Sequence, residues 1–269
     1  KAQDKAIAAI TAPGGQLEVI EKTVRGVPLK VFKNAPPTMR EFFQFFFAHN
    51  AAREFLVYGE ERLTFAEVYA KALRIAAAVQ HKYGIAKGDR VAIAMRNYPE
   101  WIMAYIGLVH LGAVVVPMNA WWQPEELAYG LSDSGARLVI ADEERLRRLG
   151  AIEGLSVSVV AVRTSHGVAA EHGADLLDDL LESGPTDTWY LPPLGPDDDV
   201  SILYTSGSTG FPKGAVSTHR GVVHGAFSYL VQGLALLKLS EAAGAHVPPQ
   251  QIMLLTVPLF HVTGLVPLM

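Results

Sequence analysis

One segment of the sequence indicates both fold and chemistry: Tyr204-Thr205-Ser206-Gly207-Ser208-Thr209-Gly210-Phe211-Pro212-Lys213-Gly214. Its eleven positions hold three glycines, four serine or threonine residues and one lysine, and they follow the apolar run Val200-Ser201-Ile202-Leu203. This pattern predicts a strand that ends in a loop rich in backbone N–H and hydroxyl groups. Such a loop suits phosphate groups, because glycine lets the backbone approach a ligand closely and turn its N–H groups inward. Lys213 adds a positive charge near the end of the loop.

Two other interpretations of this loop fit the sequence less well. A flexible glycine/serine linker requires neither a preceding strand nor the tripeptide Pro212-Lys213-Gly214. A Walker A loop requires Gly-Lys followed by Ser or Thr, whereas here Pro212 precedes the lysine and Gly214 follows it. The segment therefore predicts a phosphate-binding loop outside the ordinary P-loop NTPases.

Composition limits the classes to which the protein can belong. The chain has 269 residues, 50% of them hydrophobic, which is enough for one large or two ordinary domains with a sizeable core. Its net charge of −4 argues against a general nucleic-acid-binding or anionic-membrane-binding protein. The absence of cysteine excludes disulfides, cysteine-ligated zinc and a cysteine nucleophile, and it is compatible with a cytoplasmic location.

The apolar segment 101–118 approaches the length of a membrane span. It contains His110, Gly112 and Pro117, and Gly112 divides it into a helical half and a valine-rich half. We therefore predict a buried helix followed by a buried strand, and no transmembrane segment. Peripheral contact with a membrane remains open.

The order of apolar segments predicts an α/β fold. Thr38-Met39-Arg40-Glu41 and Thr64-Phe65-Ala66-Glu67 match the capping box that opens a helix. Downstream, predicted strands at 90–95, 113–117, 137–141 and 157–162 alternate with predicted helices at 99–111, 124–131, 143–149 and 175–182. This alternation is typical of a layered, mainly parallel β-sheet with helices on both faces. Around the phosphate loop we predict strands at 200–203, 215–217 and 251–257 and a helix at 219–237.

Proline and aspartate clusters suggest the domain boundaries. We predict an N-terminal arm at 1–37, with strands at 17–24 and 27–32, and a first α/β subdomain at 38–182. Residues 183–199 hold four prolines and four aspartates and are predicted to form a surface linker. Residues 200–269 then carry the phosphate loop and the start of a second α/β subdomain, which we expect to be truncated.

The loop resembles the phosphate-binding signature of the adenylate-forming superfamily, which comprises acyl- and aryl-CoA synthetases, firefly luciferases and the adenylation domains of peptide synthetases. Four more segments are similar to acyl-CoA synthetases and occur in the family's order: Gly88-Asp89-Arg90-Val91-Ala92-Ile93, Asn97-Tyr98-Pro99-Glu100-Trp101, Leu111-Gly112-Ala113-Val114-Val115-Val116-Pro117-Met118-Asn119 and Asp133-Ser134-Gly135-Ala136. The resemblance implies activation of a carboxylic acid by ATP to an acyl-adenylate, with release of pyrophosphate, and transfer of the acyl group to CoA.

The resemblance also implies roles for the loop residues. The groups expected to hold the β- and γ-phosphates of ATP belong to Thr205, Ser206, Gly207, Ser208, Thr209 and Gly210. Lys213 is expected beside them as a catalytic residue. Thr205 occupies the position of the threonine that helps to ligate Mg2+ in the family, with a simple hydroxyl at the end of a strand as the alternative.

A second segment, Pro258-Leu259-Phe260-His261-Val262-Thr263-Gly264, follows the last predicted strand. The resemblance implies that His261 is a catalytic residue beside the carboxylate at the mouth of the acyl pocket, where a neutral imidazole can orient a carboxylate oxygen. A structural histidine held by hydrogen bonds is the alternative. Amino-acid-activating domains carry an aspartate in this segment. Phe260-His261 offers none, which favours a medium- or long-chain fatty acid or an aryl acid.

Three functions remain consistent with the sequence. The chain ends eight residues after His261, and the family's adenine- and ribose-binding residues and its C-terminal domain with a catalytic lysine have no counterpart in it. We therefore expect the chain to be part of a longer fatty-acid–CoA ligase and to be inactive alone. A nucleotide- or acyl-binding module without catalysis and an aryl-acid–CoA ligase are the alternatives. A homodimer also remains open.

Three other clusters of side chains are predicted to have structural roles. His219 and His224 lack a third ligand at metal spacing, so a zinc site is not expected. Trp121-Trp122 is expected to pack in the core, with a channel wall or a subunit contact as the alternatives. Asp197-Asp198-Asp199 is expected to be a solvated run rather than a cation site.

Overall fold

A seven-stranded sheet flanked by helices forms the centre of the protein in a computed structural model, which describes residues 2–184, 190–205, 211–245 and 252–268. The strands are β1 (Val19–Val24), β2 (Val27–Phe32), β3 (Glu54–Tyr58), β4 (Glu61–Thr64), β5 (Arg90–Ala94), β6 (Val114–Pro117), β7 (Leu138–Asp142), β8 (Ser158–Val162), β9 (Asp175–Leu176), β10 (Asp199–Thr205) and β11 (Lys213–Thr218). The helices are α1 (Ala2–Thr11), α2 (Met39–His49), α3 (Phe65–Tyr83), α4 (Pro99–Leu111), α5 (Pro124–Ser134), α6 (Glu143–Gly150), α7 (His166–Glu171), α8 (Leu177–Ser183), α9 (His219–Ala242) and α10 (Val262–Leu268).

The strand order in the large sheet is β11-β10-β6-β5-β7-β8-β9. Every neighbouring pair is parallel except β10 and β11, which are antiparallel. The predicted α/β class with a mainly parallel sheet is confirmed. The carboxyl ends of the parallel strands lie along one edge of the sheet, which is where open α/β sheets bind ligands.

The two faces of the sheet bury different apolar clusters, because successive residues of a strand point to opposite sides. In β5, Val91 and Ile93 pack with residues of α2, α3, α4 and α9, whereas Ala92 and Ala94 pack on the side of α5 and α6. Residues 101–118 form a buried helix and a buried strand, as predicted. Helices therefore cover both faces, which explains why the inner strands are apolar along their whole length.

Two predicted caps open their helices. The Thr64 N–H donates to the Glu67 carboxylate at 2.7 Å, and the Glu67 N–H donates to the Thr64 hydroxyl at 3.2 Å, which completes the capping box of α3. Thr38 caps α2 by accepting the N–H of Arg40 at 3.1 Å, but the reciprocal capping box predicted with Glu41 is not formed. These caps fix the entry of the two helices that pack on one face of the sheet.

Three segments differ from the predictions. The predicted strand at 251–257 is wrong for the described residues 252–257, where Ile252 and Leu254 are 93% and 86% exposed and no described strand pairs with them. The predicted helix at 175–182 begins instead with β9, which pairs with β8. Helix α1 was not predicted, and its Ile10 packs against α9.

The predicted linker, residues 183–199, is described at 183–184 and 190–199, and ion pairs fix its second part to the rest of the domain. Asp197 binds Arg220 at 2.8 Å, and Asp198 binds Lys87 at 2.7 Å. The expectation that these aspartates are simply solvated is therefore wrong. The hydrogen bond from Arg220 is the main cause of the lowered pKa of Asp197. The division into domains stays a prediction.

Helix α9 is the one helix in the described ranges that is long and apolar enough to cross a membrane by length and composition, and 28% of that apolar window is buried. Two of its histidines tie it to the N-terminal half of the chain. His219 Nδ1 accepts the N–H of Met39 at 3.1 Å, and His224 Nδ1 accepts the N–H of Phe32 at 3.3 Å. Both histidines thus accept a backbone N–H from the N-terminal part of the chain.

Candidate functional site

The candidate site begins with the hairpin of β10 and β11, whose last cross-strand pair is Thr205 and Lys213. The residues between them that were predicted to bind phosphate lie outside the described residues: Ser206, Gly207, Ser208, Thr209 and Gly210. Because Thr205 and Lys213 are paired across the hairpin, both ends of the predicted loop meet at the carboxyl edge of the sheet. The Thr205 hydroxyl lies 3.4 Å from the carbonyl oxygen of Lys213, and both residues are exposed. Within the described part of the chain, no carboxylate pairs with the Lys213 ammonium.

Gly214 is required by the packing of this hairpin. Its cross-strand partner is Tyr204. A Cβ atom at Gly214 would lie 2.7 Å from Cγ2 of Ile202 and 3.4 Å from Cζ of Tyr204. The first distance is well inside the optimal carbon–carbon separation of about 3.5–4.0 Å. A glycine thus lets the Tyr204 ring lie across the hairpin next to the loop.

His261 lies in a tight turn directly before α10. Its N–H donates to the carbonyl oxygen of Pro258 at 3.1 Å, and its own carbonyl oxygen accepts the N–H groups of Gly264 and Leu265 at 2.9 and 3.0 Å. The exposed imidazole packs against the ring of Phe260 at 4.6 Å. It has no hydrogen-bond partner among the described residues, so the alternative of a hydrogen-bonded structural histidine lacks support there.

Asn97 holds this turn on the sheet from its position just beyond the carboxyl end of β5. Its Nδ2 donates to the carbonyl oxygen of Val257 at 2.8 Å, and its Oδ1 accepts the N–H of Leu259 at 2.9 Å. One side-chain amide thus satisfies backbone groups on both sides of Pro258. The sequence predicted no role for Asn97, although a polar residue just after a buried parallel strand is a typical position for one.

Trp121 and Trp122 connect the two predicted segments. Trp122 is buried, and its ring lies 5.5 Å from that of Tyr204, directly before the phosphate loop. Trp121 is 59% exposed, and its ring lies 5.3 Å from that of Phe260, directly before His261. Such edge-to-face pairs contribute about 0.5–1.5 kcal/mol each beyond burial. The expected core packing is confirmed for Trp122 and is wrong for Trp121.

A cavity of about 380 Å³ opens beside Trp121 and Phe260. The lining residues are Tyr58, Arg96, Asn97, Tyr98, Ala120, Trp121, Thr256, Pro258 and Phe260. Four of these nine side chains are aromatic, and none carries a carboxylate. The cavity therefore suits an apolar or aromatic group better than an ammonium ion, which needs an anionic partner when it is buried.

Arg163 holds one wall of this cavity. Its guanidinium carbon lies 4.9 and 5.1 Å from the ring centres of Tyr58 and Tyr98. The same guanidinium donates at 2.8 Å to Glu100 and at 2.8 Å to Glu61. Partial burial acts to lower the pKa of Arg163, but the two carboxylates outweigh it and raise the pKa. Arg163 thus stays charged and joins the β3–β4 hairpin to the carboxyl edge of the sheet.

A buried ion pair at the end of β7 fixes the loops behind the cavity. Asp142 binds Arg145 through two hydrogen bonds of 2.7 Å. Asp142 also accepts the N–H of Arg96 at 3.0 Å, and Arg145 donates to the carbonyl oxygen of Ala120 at 3.3 Å. The loops that follow β5 and β6 are therefore held by one ion pair between the end of β7 and the first turn of α6.

The donors of the site fit phosphate better than a metal held by protein side chains alone. Within the described residues there is no group of three or more histidine, aspartate or glutamate side chains that could hold a metal ion. The exposed Thr205 hydroxyl and Lys213 ammonium lie at the loop end of the hairpin. A Mg2+ ion bound largely by phosphate oxygens and water could take the Thr205 hydroxyl as a ligand here.

Comparison with known proteins identifies relatives over most of the chain. The AMP-binding enzyme family matches residues 43–269. The chain is 38% identical over 205 residues to the long-chain-fatty-acid–CoA ligase FadD13 of Mycobacterium tuberculosis. The matched region covers 76% of this chain and 37% of FadD13. It is 30% identical over 233 residues to 4-coumarate–CoA ligase 3 of Oryza sativa subsp. japonica, and this match covers 85% of this chain and 39% of that protein. The chain thus spans less than half the length of these curated relatives.

Two solved structures share the fold. The inhibitor-bound N-terminal domain of FACL13 from Mycobacterium tuberculosis gives a TM-score of 0.68 at 30% identity, over 87% of this chain and 54% of that chain. The anthranilate CoA ligase AuaEII in complex with anthranoyl-AMP gives a TM-score of 0.62 at 26% identity, over 68% of this chain and 35% of that chain. Both likenesses extend over at least two thirds of this chain.

Proposed function

The chain belongs to the AMP-binding enzyme family, and we propose that its complete gene product is an acyl-CoA synthetase. It activates a carboxylic acid with ATP and transfers the acyl group to CoA. The observation that carries the proposal is the hairpin that sets the exposed Lys213 opposite Thr205 at the ligand-binding edge of a parallel sheet. The two curated relatives described above, both named as CoA ligases, support the same reaction class.

In the proposed first step, a carboxylate oxygen attacks the α-phosphorus of ATP while the bond to pyrophosphate breaks. Both reactants are anions, so the site must offset charge and hold the reacting oxygens in line. We assign Lys213 and the loop residues 205–210 to the departing phosphates, where each charge-assisted hydrogen bond contributes about 1.5–3 kcal/mol. Mg2+, when bound, would supply further positive charge, and the Thr205 hydroxyl would be one of its ligands.

We assign the acid to His261 and to the cavity beside Phe260. The imidazole has no hydrogen-bond partner in the described ranges, so it can hold a carboxylate oxygen. The cavity has an aromatic lining without a carboxylate, which favours a fatty or aryl acid over an amino acid. We propose a medium- or long-chain fatty acid, in keeping with the name of the FadD13 relative.

An aryl acid is the second candidate. The four aromatic rings that line the cavity can stack on a planar ring as well as they can cover an alkyl chain. The relatives named for 4-coumarate and anthranilate support this alternative.

A cytoplasmic location, the four-part division of the chain and the use of CoA as the acyl acceptor complete the proposal.

Pyrophosphate release by the complete gene product tests this proposal directly. The protein is incubated with ATP, Mg2+ and one acid at a time from a panel of fatty acids of graded length, aryl acids and amino acids. We expect release with fatty acids, and acyl-CoA once CoA is added. Release with aryl acids alone favours the second candidate. Release with amino acids alone, or ATP binding without any release, rejects the ligase.

A further inference from the structure

Helix α5 contacts both ends of the predicted phosphate loop. The Tyr204 hydroxyl donates to Oδ2 of Asp133 at 2.6 Å, and Tyr204 directly precedes Thr205. The Tyr129 hydroxyl donates to the carbonyl oxygen of Pro212 at 3.1 Å, and Pro212 directly precedes Lys213. Residues 129 and 133 are one helical turn apart and therefore lie on the same face of α5.

Further contacts reinforce each of these two attachments. The Tyr204 hydroxyl also lies 3.4 Å from the carbonyl oxygen of Gly130. The ring of Tyr129 lies 5.1 Å from the ring of Phe211. Burial, together with the hydrogen bond to the Asp133 carboxylate, raises the pKa of the Tyr204 hydroxyl. The phenol therefore keeps its proton and remains a donor at neutral pH.

Helix α5 is itself firmly held, so it can act as a fixed reference for the hairpin. At its start, the N–H of Gln123 donates to the Glu126 carboxylate at 2.9 Å. Leu127 is fully buried, and Gly130 lies so close to Trp122 that a Cβ atom would be 2.6 Å from the ring. Groups that must meet a ligand in a defined geometry are best supported from rigid elements of this kind.

We propose that Tyr129 and Asp133 are positioning residues that set the spacing and direction of Thr205 and Lys213 toward the phosphates of the nucleotide. The inference rests on the proposed function, in which this hairpin binds ATP. Lys213 has no ion pair within the described residues, so its direction depends on the backbone that carries it. A displacement of about 1 Å in such a group can cost roughly 100-fold in rate.

Five variants of the complete gene product test the inference through acid-dependent pyrophosphate release. Tyr204→Phe and Asp133→Ala both remove the hydrogen bond between these two side chains, and Tyr129→Phe removes the bond to Pro212. Each change should lower kcat by about tenfold or more, with the KM for the acid within about twofold. Asp133→Asn keeps a carbonyl oxygen that can accept the same hydrogen bond and should retain most of the activity. The double variant Tyr204→Phe/Asp133→Ala should be no slower than either single variant, because both changes remove the same bond.

Tyr83→Phe is the matched control. Tyr83 donates to Asp175 at 2.6 Å, the same kind of bond, but Asp175 lies on β9 at the opposite edge of the sheet from β11. It should lower thermal stability as Tyr204→Phe does and leave kcat unchanged. If Tyr204→Phe and Asp133→Ala behave like Tyr83→Phe, the inference is overturned while the proposed function stands. If the parent protein neither binds ATP nor releases pyrophosphate, the proposed function fails and the inference fails with it.

Discussion

Thr205 and Lys213 face each other as the terminal pair of an antiparallel hairpin at the edge of an otherwise parallel sheet. In a Walker A loop the chain passes from a strand into a helix, and the N-terminus of that helix contributes positive potential to the phosphates. Here the chain returns into β11 instead. In the proposed phosphate site no helix N-terminus therefore follows the loop, and Lys213 contributes positive charge from its side chain.

Gly214→Ala should disturb the hairpin, because the new Cβ meets Ile202 and Tyr204. We expect the free energy of unfolding to fall by about 1–3 kcal/mol and the KM for ATP to rise. Gly233→Ala in α9 is the control, since no atom lies within 4 Å of the added Cβ. It should raise stability by about 0.5–1 kcal/mol. Urea titrations compare the two variants, and equal stabilities would contradict the packing described for Gly214.

Asn97→Ala should weaken acid activation and leave the hairpin intact. The change removes the two hydrogen bonds that hold Val257 and Leu259, and with them the turn that carries His261. Each of these hydrogen bonds contributes about 0.5–1.5 kcal/mol, so we expect the loss of both to lower kcat/KM for the acid by about tenfold.

Steady-state kinetics with acid and ATP varied in turn provide the measurement for Asn97→Ala. The KM for ATP should stay close to that of the parent. Asn50→Ala serves as the comparison, because Asn50 also donates to a backbone carbonyl, that of Phe46 at 2.9 Å, but at the end of α2. Equal acid kinetics for the two variants would show that Asn97 does not position the turn.

The free energy of unfolding should fall as the pH is lowered from about 6.5 to about 4. Burial lowers the pKa of His219 to about 4 and that of His110 to about 4, whereas an unfolded histidine titrates near 6.5. The unfolded state therefore binds more protons in this window. The stabilisation is complete above pH 6.5 and is lost progressively as the pH falls to about 4.

Denaturant titrations across this pH window measure the slope. His219→Asn should make it shallower, because the Asn Oδ1 can accept the Met39 N–H and does not titrate. His81→Asn, at an exposed position of α3, should leave the slope unchanged. A slope that is the same in the parent and in His219→Asn would rule out His219 as a source of the pH dependence.

Arg163→Met should loosen the wall of the cavity formed by Tyr58 and Tyr98. It removes two ion pairs and two cation–π contacts, and because Arg163 is 28% exposed we expect a loss of only about 1–2 kcal/mol in stability. The preference among acids should also shift, measured as kcat/KM over the graded panel. Arg62→Met is the control, because Arg62 lies on the β3–β4 hairpin that carries Tyr58 but forms an exposed ion pair. It should cost less than about 1 kcal/mol and leave the preference unchanged. An unaltered preference in Arg163→Met would separate this cavity from acid selection.

The parallel sheet and the hairpin around the phosphate loop could be predicted because each has a local signal. Strands β6 and β7 are buried along their whole length and appear as continuous apolar runs. The loop glycines and the flanking apolar residues indicated both strands of the hairpin. An apolar run alone did not suffice at 251–257, because a strand also needs a partner strand, and the sequence does not show whether one is present.

The contacts that assemble the site could not be predicted, because they join positions far apart in the chain. Asn97 and Leu259 are separated by 162 residues, and Tyr204 and Asp133 by 71. Their pairing depends on the strand order of the sheet, which places the loops after β5, β6 and β10 side by side. The adjacent residues Trp121 and Trp122 differ in role for the same reason: one faces the core and the other faces the cavity.

ATP–pyrophosphate exchange in the presence of a fatty acid tests the central claim most directly. The exchange rate is compared between the complete gene product, as the parent protein, and its variants Lys213→Ala and Lys238→Ala. Lys238 is an exposed lysine on α9 and controls for the loss of a positive charge. The hairpin geometry predicts acid-dependent exchange in the parent and in Lys238→Ala, and a loss of about 100-fold or more in Lys213→Ala at unchanged thermal stability. Exchange that is equally fast in Lys213→Ala would contradict the assignment of this hairpin to the phosphates.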